Sequence, residues 1–258
     1  MRNGKLYLYI VVILAVFCGP GNRLIVSAEE ISGLESLVLR EEYAEGVNCG
    51  KKLLNQSFSL NKRRKIYYLT GLSYLKLGSS VKAKRYFKKA ITKKADSITL
   101  NSIIGIADAY YAEKQYLDAI KRYDYILSKY KNTGHEANVC YKLARSYLRT
   151  GGWRDSKKYF RRTEKRYPLS FESGLARDIL KENAFYFTVQ VGSFGNSLNA
   201  DKLCRKLKKR KYPVFVDKVI NESITFYRVR VGKFNTKKEA RLQEQKLKKI
   251  SLPTRIYP

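Results

Sequence analysis

Val189-Gln190-Val191-Gly192-Ser193-Phe194 returns 40 residues later as Val229-Arg230-Val231-Gly232-Lys233-Phe234, and a polar turn and an amphipathic segment follow each copy. A phrase repeated together with its sequel is a duplicated folding unit. In the first copy Phe187, Val189 and Val191 alternate with Tyr186, Thr188 and Gln190; in the second, Tyr227, Val229 and Val231 alternate with Phe226, Arg228 and Arg230. Period two with one apolar face predicts half-buried strands. Beyond the first strand, Ala200, Leu203 and Leu207 recur at helical spacing, and beyond the second Ala240, Leu247 and Ile250 do the same, so each helix has one narrow buried stripe. Pro213-Val214-Phe215-Val216 and Pro253 to Tyr257 are two further short strands, with proline at the start where a missing N–H costs least. The order βαββαβ predicts a ferredoxin-like, split βαβ unit.

Such a unit covers one sheet face with helices and leaves the other open. By parity the open face carries Tyr186, Thr188, Gln190, Phe215, Phe226, Arg228 and Arg230, a mixture of aromatic planes, an amide and guanidinium groups. That mixture suits a groove for a polar polymer.

At these residues the chain resembles the SPOR domain, a bacterial cell-envelope module. The resemblance rests on V-Q-V-G-S-F, the helix start Asn199-Ala200 with Leu203, the phrase Y-P-V-F-V, then Y-R-V-R-V-G-K-F and the helix start Glu239-Ala240, and it covers residues 183–258. Lys233 departs from the pattern, where proline is frequent. The resemblance implies binding to peptidoglycan, in particular to glycan strands stripped of stem peptides, which accumulate at division septa. Stripping leaves free lactyl carboxylates, with which Arg228 and Arg230 can pair through charge-assisted bonds. Gln190 and Ser193, at the end of the first strand, match the family's polar contact positions, Thr188 shares the parity of Gln190, and Phe215 and Phe226 offer flat surfaces to sugar rings.

The middle of the chain is a second repeat. Ala83, Ala119 and Ser156 fall in register at spacings of 36 and 37 residues. Twelve residues before each stand Gly71, Ala107 and Ala144, followed three residues on by Tyr74, Tyr110 and Tyr147, and four residues after each small residue stand Phe87, Tyr123 and Phe160. Small residues let two helices cross closely while aromatics fill the gaps. The pattern, closed by Pro168, resembles tetratricopeptide repeats over residues 63–168, with three units slightly longer than the usual ~34 residues. One unit cannot bury its apolar stripe alone, so the units must stack. Residues 34–60 form an N-terminal cap or a divergent unit, although Gly46 and Gly50 count against a helix there. Residues 170–182 form a capping helix and connector. The fold class expected is therefore α+β and multidomain, an all-α repeat array followed by a small βαββαβ domain. The repeat resemblance implies an unidentified protein or peptide held in a groove lined by the first helix of each pair, with Lys76, Asn101 and Lys142 among its candidates.

The chain opens with a basic head, an apolar run from Leu6 to Cys18, and Val26-Ser27-Ala28 before Glu29, which reads as a secretory signal over residues 1–28. The expected location is the periplasm or cell envelope, at septa if the glycan reading holds. No stable membrane span remains after cleavage, because the apolar run is short. An uncleaved anchor and lipidation at Cys18 are alternatives, the latter disfavoured by Phe17. The mature chain keeps Cys49, Cys140 and Cys204, an odd set without metal spacing, read as small buried hydrophobes.

The formal net charge is +31. It favours anionic partners, but lysine is spread evenly, as solvated helix surface would have it. Neither a cofactor nor an enzyme is expected. The single histidine, His135, sits in the loop after Asn132-Thr133-Gly134, so a histidine metal cluster or a nucleophile with a histidine base is not available. Hydrolysis of a glycan needs two carboxyl groups across a cleft, and the sheet face supplies only Asp217, placed at a strand end. No metal site and no catalytic residue are assigned. Two other readings remain: a protein-only envelope scaffold whose binding is charge-driven, and an RNA-binding βαββαβ module. The second lacks the aromatic-rich RNP phrase in Phe226 to Val231 and conflicts with export, so no nucleic-acid partner is expected.

Overall fold

The computed structural model describes residues 31–183, 185–221 and 224–258, so the expected signal segment with Cys18 lies outside the described residues. These form two compact units, the first ending at Arg122 and the second running from Tyr123 to Pro258.

The first unit consists of helical residues 31–39 (α1), α2 (Tyr43–Leu54), α3 (Leu60–Lys76), α4 (Ser80–Ala90), α5 (Ser97–Ala112) and the start of α6 (Tyr116–Lys129). α3 packs against α2, α4 and α5. That is why Ile66, Leu69, Gly71 and Tyr74 are all buried, on more than one side of the helix. Phe87 of α4 is fully buried between two glycines: a Cβ at Gly71 would come within 2.9 Å of its ring, and one at Gly105 within 2.6 Å. The small-to-aromatic pattern of the sequence is thus a helix-crossing device.

The same device explains Gly46 and Gly50, which do not weaken α2. They sit in its buried face, where a Cβ at Gly46 would stand 2.8 Å from Ser73 Oγ and one at Gly50 would overlap Thr70 Oγ1. Glycine here is the close-approach residue for α3, whose Thr70 and Ser73 hydroxyls donate to Ile66 O and Leu69 O one turn back. A Gly50→Val chain should lose about 2 kcal/mol or more through overpacking, read as a lower urea midpoint. Gly33→Ala, where nothing stands within 4 Å of the added Cβ, should lose nothing.

A buried ion pair joins α3 to the start of α5. Arg64 is 2 % exposed, and its guanidinium donates to both Asp96 oxygens at 2.7 Å, to Ala90 O at 2.8 Å and to Thr99 Oγ1 at 2.8 Å. Asp96 also caps α5 by accepting from the Thr99 N–H.

The second unit begins within α6 and contains α7 (Glu136–Thr150), α8 (Trp153–Arg166), α9 (Phe171–Glu182), β1 (Phe187–Phe194), α10 (Ser197–Lys209), β2 (Val214–Asn221), β3 (Ile224–Phe234), α11 (Lys237–Lys248) and β4 (Arg255–Tyr257). His135 occupies the N-cap position of α7, and α9 packs against α8 and α7. Ser156 donates its buried hydroxyl to Ala144 O at 2.9 Å, so α8 crosses α7 at the two small residues of the third repeat.

The four strands form one antiparallel sheet in the order β2-β3-β1-β4, the ferredoxin-like arrangement expected. α10 and α11 cover one face. Its core contains Phe187, Val189, Val191, Val229 and Val231 from the strands, with Ala200, Leu207, Ala240 and Leu247 from the helices. Ile250 lies just past the end of α11 and still packs on this core. Thr236 and Glu239 start α11 with a reciprocal capping box.

Trp153 joins the third repeat to the sheet domain. Its indole packs on Phe187, with ring centroids 4.9 Å apart, and donates to Asn235 O at 2.8 Å. Gly151, left-handed at φ 84°, ends α7 where a Cβ would stand 2.7 Å from the Phe187 ring. Cys140 and Cys204 are buried in α7 and α10 as free thiols, and Cys49 is half-buried in α2. Burial pushes the Cys140 thiol up.

Candidate functional site

Two bulges decide what the uncovered sheet face presents. Pairing of β1 with β3 runs Phe187 to Phe234, Val189 to Val231, Gln190 to Arg230, Gly192 to Val229 and Ser193 to Arg228. One extra residue therefore lies on β3 between Val231 and Phe234, and one on β1 between Gln190 and Gly192. An extra residue flips the alternation beyond it. Gln190 and Ser193 consequently share the uncovered face despite their odd spacing, and so do Arg230 and Lys233 in the second copy. The left-handed Gly232, φ 71°, makes the second bulge, and its N–H donates to Pro213 O at 2.8 Å.

Cross-strand rows follow from the register. Phe215, Arg230, Gln190 and Arg255 form one row across β2, β3, β1 and β4; Asp217, Arg228 and Ser193 form the next, and Val219 with Phe226 the third. Of the residues expected on this face, the structure brings Gln190, Ser193, Phe215, Phe226, Arg228 and Arg230 together, Ser193 exposed and the other five half-buried.

Thr188 must be removed from the accessible set. It is fully buried, and its hydroxyl donates to Val231 O at 3.4 Å. The same holds for the placing of Asp217 at a strand end: β2 extends to Asn221, beyond the short strand expected, so Asp217 is mid-strand.

Three contributors are absent from the candidate set drawn from the sequence. The Lys233 ammonium lies 4.9 Å from the Tyr186 ring centroid and 5.4 Å from that of Phe215. Tyr257 of β4 stacks with two guanidiniums, 5.0 Å from Arg255 and 5.7 Å from Arg230. Lys233 had a signal, because it occupies the Ser193 position of the repeated phrase. Arg255 and Tyr257 had none short of the β1–β4 register.

The arginines are not equivalent. Arg230 Nη1 bonds Asp217 Oδ2 at 3.2 Å, and the Arg230 side chain is 14 % exposed. Its Nε and the neighbouring Gln190 Oε1 are buried without a hydrogen-bond partner. Arg228, Lys233 and Arg255 form no ion pair among the described residues. The face thus offers cations and aromatic planes to a ligand, above an amide oxygen and a guanidinium Nε that are buried and unmatched. Among the described residues, no group of three His, Cys, Asp or Glu side chains could hold a metal ion, and no helix is long and apolar enough to cross a membrane.

Residues 183–253 match the model of the SPOR domain, and residues 66–97 and 141–170 match the tetratricopeptide repeat. Among curated proteins, the outer membrane protein assembly factor BamD of Rickettsia prowazekii (strain Madrid E) is 28% identical over 175 residues, covering 58% of this chain and 69% of that protein. Among solved structures, pilF of Pseudomonas aeruginosa is 18% identical with a TM-score of 0.45, covering 59% of this chain and 66% of its own. A Podosopora anserina protein of nearly identical TPR-like repeats is 12% identical with a TM-score of 0.48, covering 70% and 92%. The two matched repeat segments cover most of α3 with α4 and most of α7 with α8, and the SPOR match covers β1 to β3 with α10 and α11 and ends just before β4. The chain carries tetratricopeptide repeats followed by a SPOR domain.

Proposed function

We propose that this protein is a non-enzymatic component of the bacterial cell envelope, which binds peptidoglycan glycan strands freed of stem peptides through its open sheet face and holds a partner protein on its helical repeats. The observation that carries the first part is the row Phe215, Arg230, Gln190, Arg255, which runs across all four strands. A linear polymer of amino sugars with recurring carboxylates needs flat surfaces for sugar rings, amide-matching groups for acetamido substituents and cations for carboxylates, and this row with its neighbours Arg228, Ser193 and Lys233 provides each. The SPOR match supports the ligand class, and the likeness to an outer membrane assembly factor supports an envelope scaffold. A septal role in division follows if such strands are the ligand in the cell.

The acid inventory of the strands supports the non-enzymatic reading. Asp217 is the single acid in the four strands, and it is engaged with Arg230, whereas glycoside hydrolysis uses two carboxyl groups.

Co-sedimentation of the full chain with intact and amidase-stripped sacculi tests the reading. Binding should appear on stripping, and Arg228→Ala should weaken it by about tenfold, the loss of a charge-assisted bond of roughly 1.5 kcal/mol, with an unchanged melting temperature. Binding that ignores stripping and disappears in modest salt would transfer the explanation to net charge.

A further inference from the structure

The one acid of the sheet sits in the wrong place for a simple anion receptor. The register sets Asp217 directly across from Arg228, yet its carboxylate reaches diagonally to Arg230, 3.2 Å from Nη1. Arg230 is enclosed on its other sides, with Phe215 as its cross-strand neighbour and the Tyr257 ring 5.7 Å from its guanidinium. A guanidinium receives a carboxylate best when its fork of donors is free and aligned. Here one edge of that fork is already closed by a carboxylate from the protein. Asp217 itself is 42 % exposed, so it stands at the surface, where an incoming anionic group would arrive.

We propose that Asp217 is a built-in competitor, a carboxylate that occupies the anion position at Arg230 and thereby sets the selectivity of the face. The inference rests on the glycan reading above and deepens it. With Arg230 neutralised, it acts as a positioning residue that holds Gln190 and Tyr257 in the row, and recognition of ligand carboxylates passes to Arg228, Arg255 and Lys233. These three are spread over β3 and β4. A polyanion whose charges do not match the spacing of these three brings some of them against Asp217 and is repelled; a polymer whose carboxylates match engages the three cations and clears Asp217. Asp217 therefore discriminates against adventitious polyanions more than against the ligand whose spacing matches.

The test uses the full chain as wild type, Asp217→Asn, Asp217→Ser and Arg230→Gln, with stripped sacculi, intact sacculi and heparin as an arbitrary polyanion. Both Asp217 variants should bind heparin about 2- to 5-fold more tightly, the scale of one exposed charge pair, and stripped sacculi by a smaller factor, so that the preference for stripped sacculi over heparin falls. Arg230→Gln should weaken sacculus binding less than Arg228→Ala does. Unchanged or weaker heparin binding by both Asp217 variants would overturn the competitor role and make Asp217 a support for Arg230. Failure of the wild type to bind stripped sacculi would sink the glycan reading instead, and the heparin comparison would still decide the role of Asp217.

Discussion

Asp96→Ala should destabilise the first unit by about 3 kcal/mol, from two losses that act together: a buried arginine left without its counter-ion and a helix N-cap removed. Arg64 is 2 % exposed and has its guanidinium fixed by Ala90 O and Thr99 Oγ1, so it cannot swing to water when the carboxylate goes. Urea unfolding of the full chain, followed by a probe in the first unit, measures the loss. Arg64→Met combined with Asp96→Ser should cost less than Asp96→Ala alone, because no orphaned charge remains and serine still caps α5. The pair also predicts an acid response. The Arg64 guanidinium beside Asp96 holds its carboxyl well below the usual carboxylate range. A depressed native value means that the folded state favours the ionised form: the contribution is complete above the ordinary carboxylate value of about 4 and is lost as pH falls below it. Wild-type stability should therefore decline below that pH, and the Asp96→Ala profile should be flatter there.

Gly232→Val should be nearly as damaging in the second unit, and it should remove glycan binding as well. A β-branched residue at φ 71° is in the left-handed region, at a cost of about 1–2 kcal/mol. Its Cβ would also overlap the Phe234 ring, which packs on the sheet core. Relief requires the bulge to straighten, and a regular β3 would turn Lys233 toward the helices and away from the uncovered face. The expected result is a melting temperature lowered by several degrees and sacculus binding reduced beyond the Arg228→Ala value. Gly195→Ala, with nothing within 4 Å of its Cβ, is the matched control and should change neither.

The duplicated phrase made the sheet domain legible because both copies alternate cleanly and are followed by narrow helical stripes. The repeats were legible through paired small and aromatic positions, which the structure shows as Gly71 and Gly105 around Phe87 and as Ser156 against Ala144. Parity arguments failed where a bulge intervened or where a strand was sealed from both sides. Thr188 has the parity of an exposed position and is fully buried, and Ser193 reaches the face only through the bulge after Gln190. Gly46 and Gly50 misled for another reason: helix propensity counts their entropic cost and omits the neighbouring helix that requires them. The Asp217–Arg230 pair was beyond reach, since nothing local indicates which of two arginines a cross-strand acid will choose.

The two bulges also make the face asymmetric. The same backbone device presents Gln190 and Ser193 from one copy and Arg230 and Lys233 from the other, a neutral half and a cationic half related by the duplication. A polysaccharide has a reducing and a non-reducing end. Reversing the strand would exchange what each half meets, so on the proposed glycan reading a duplicated site with unlike side chains can distinguish the direction in which the strand runs.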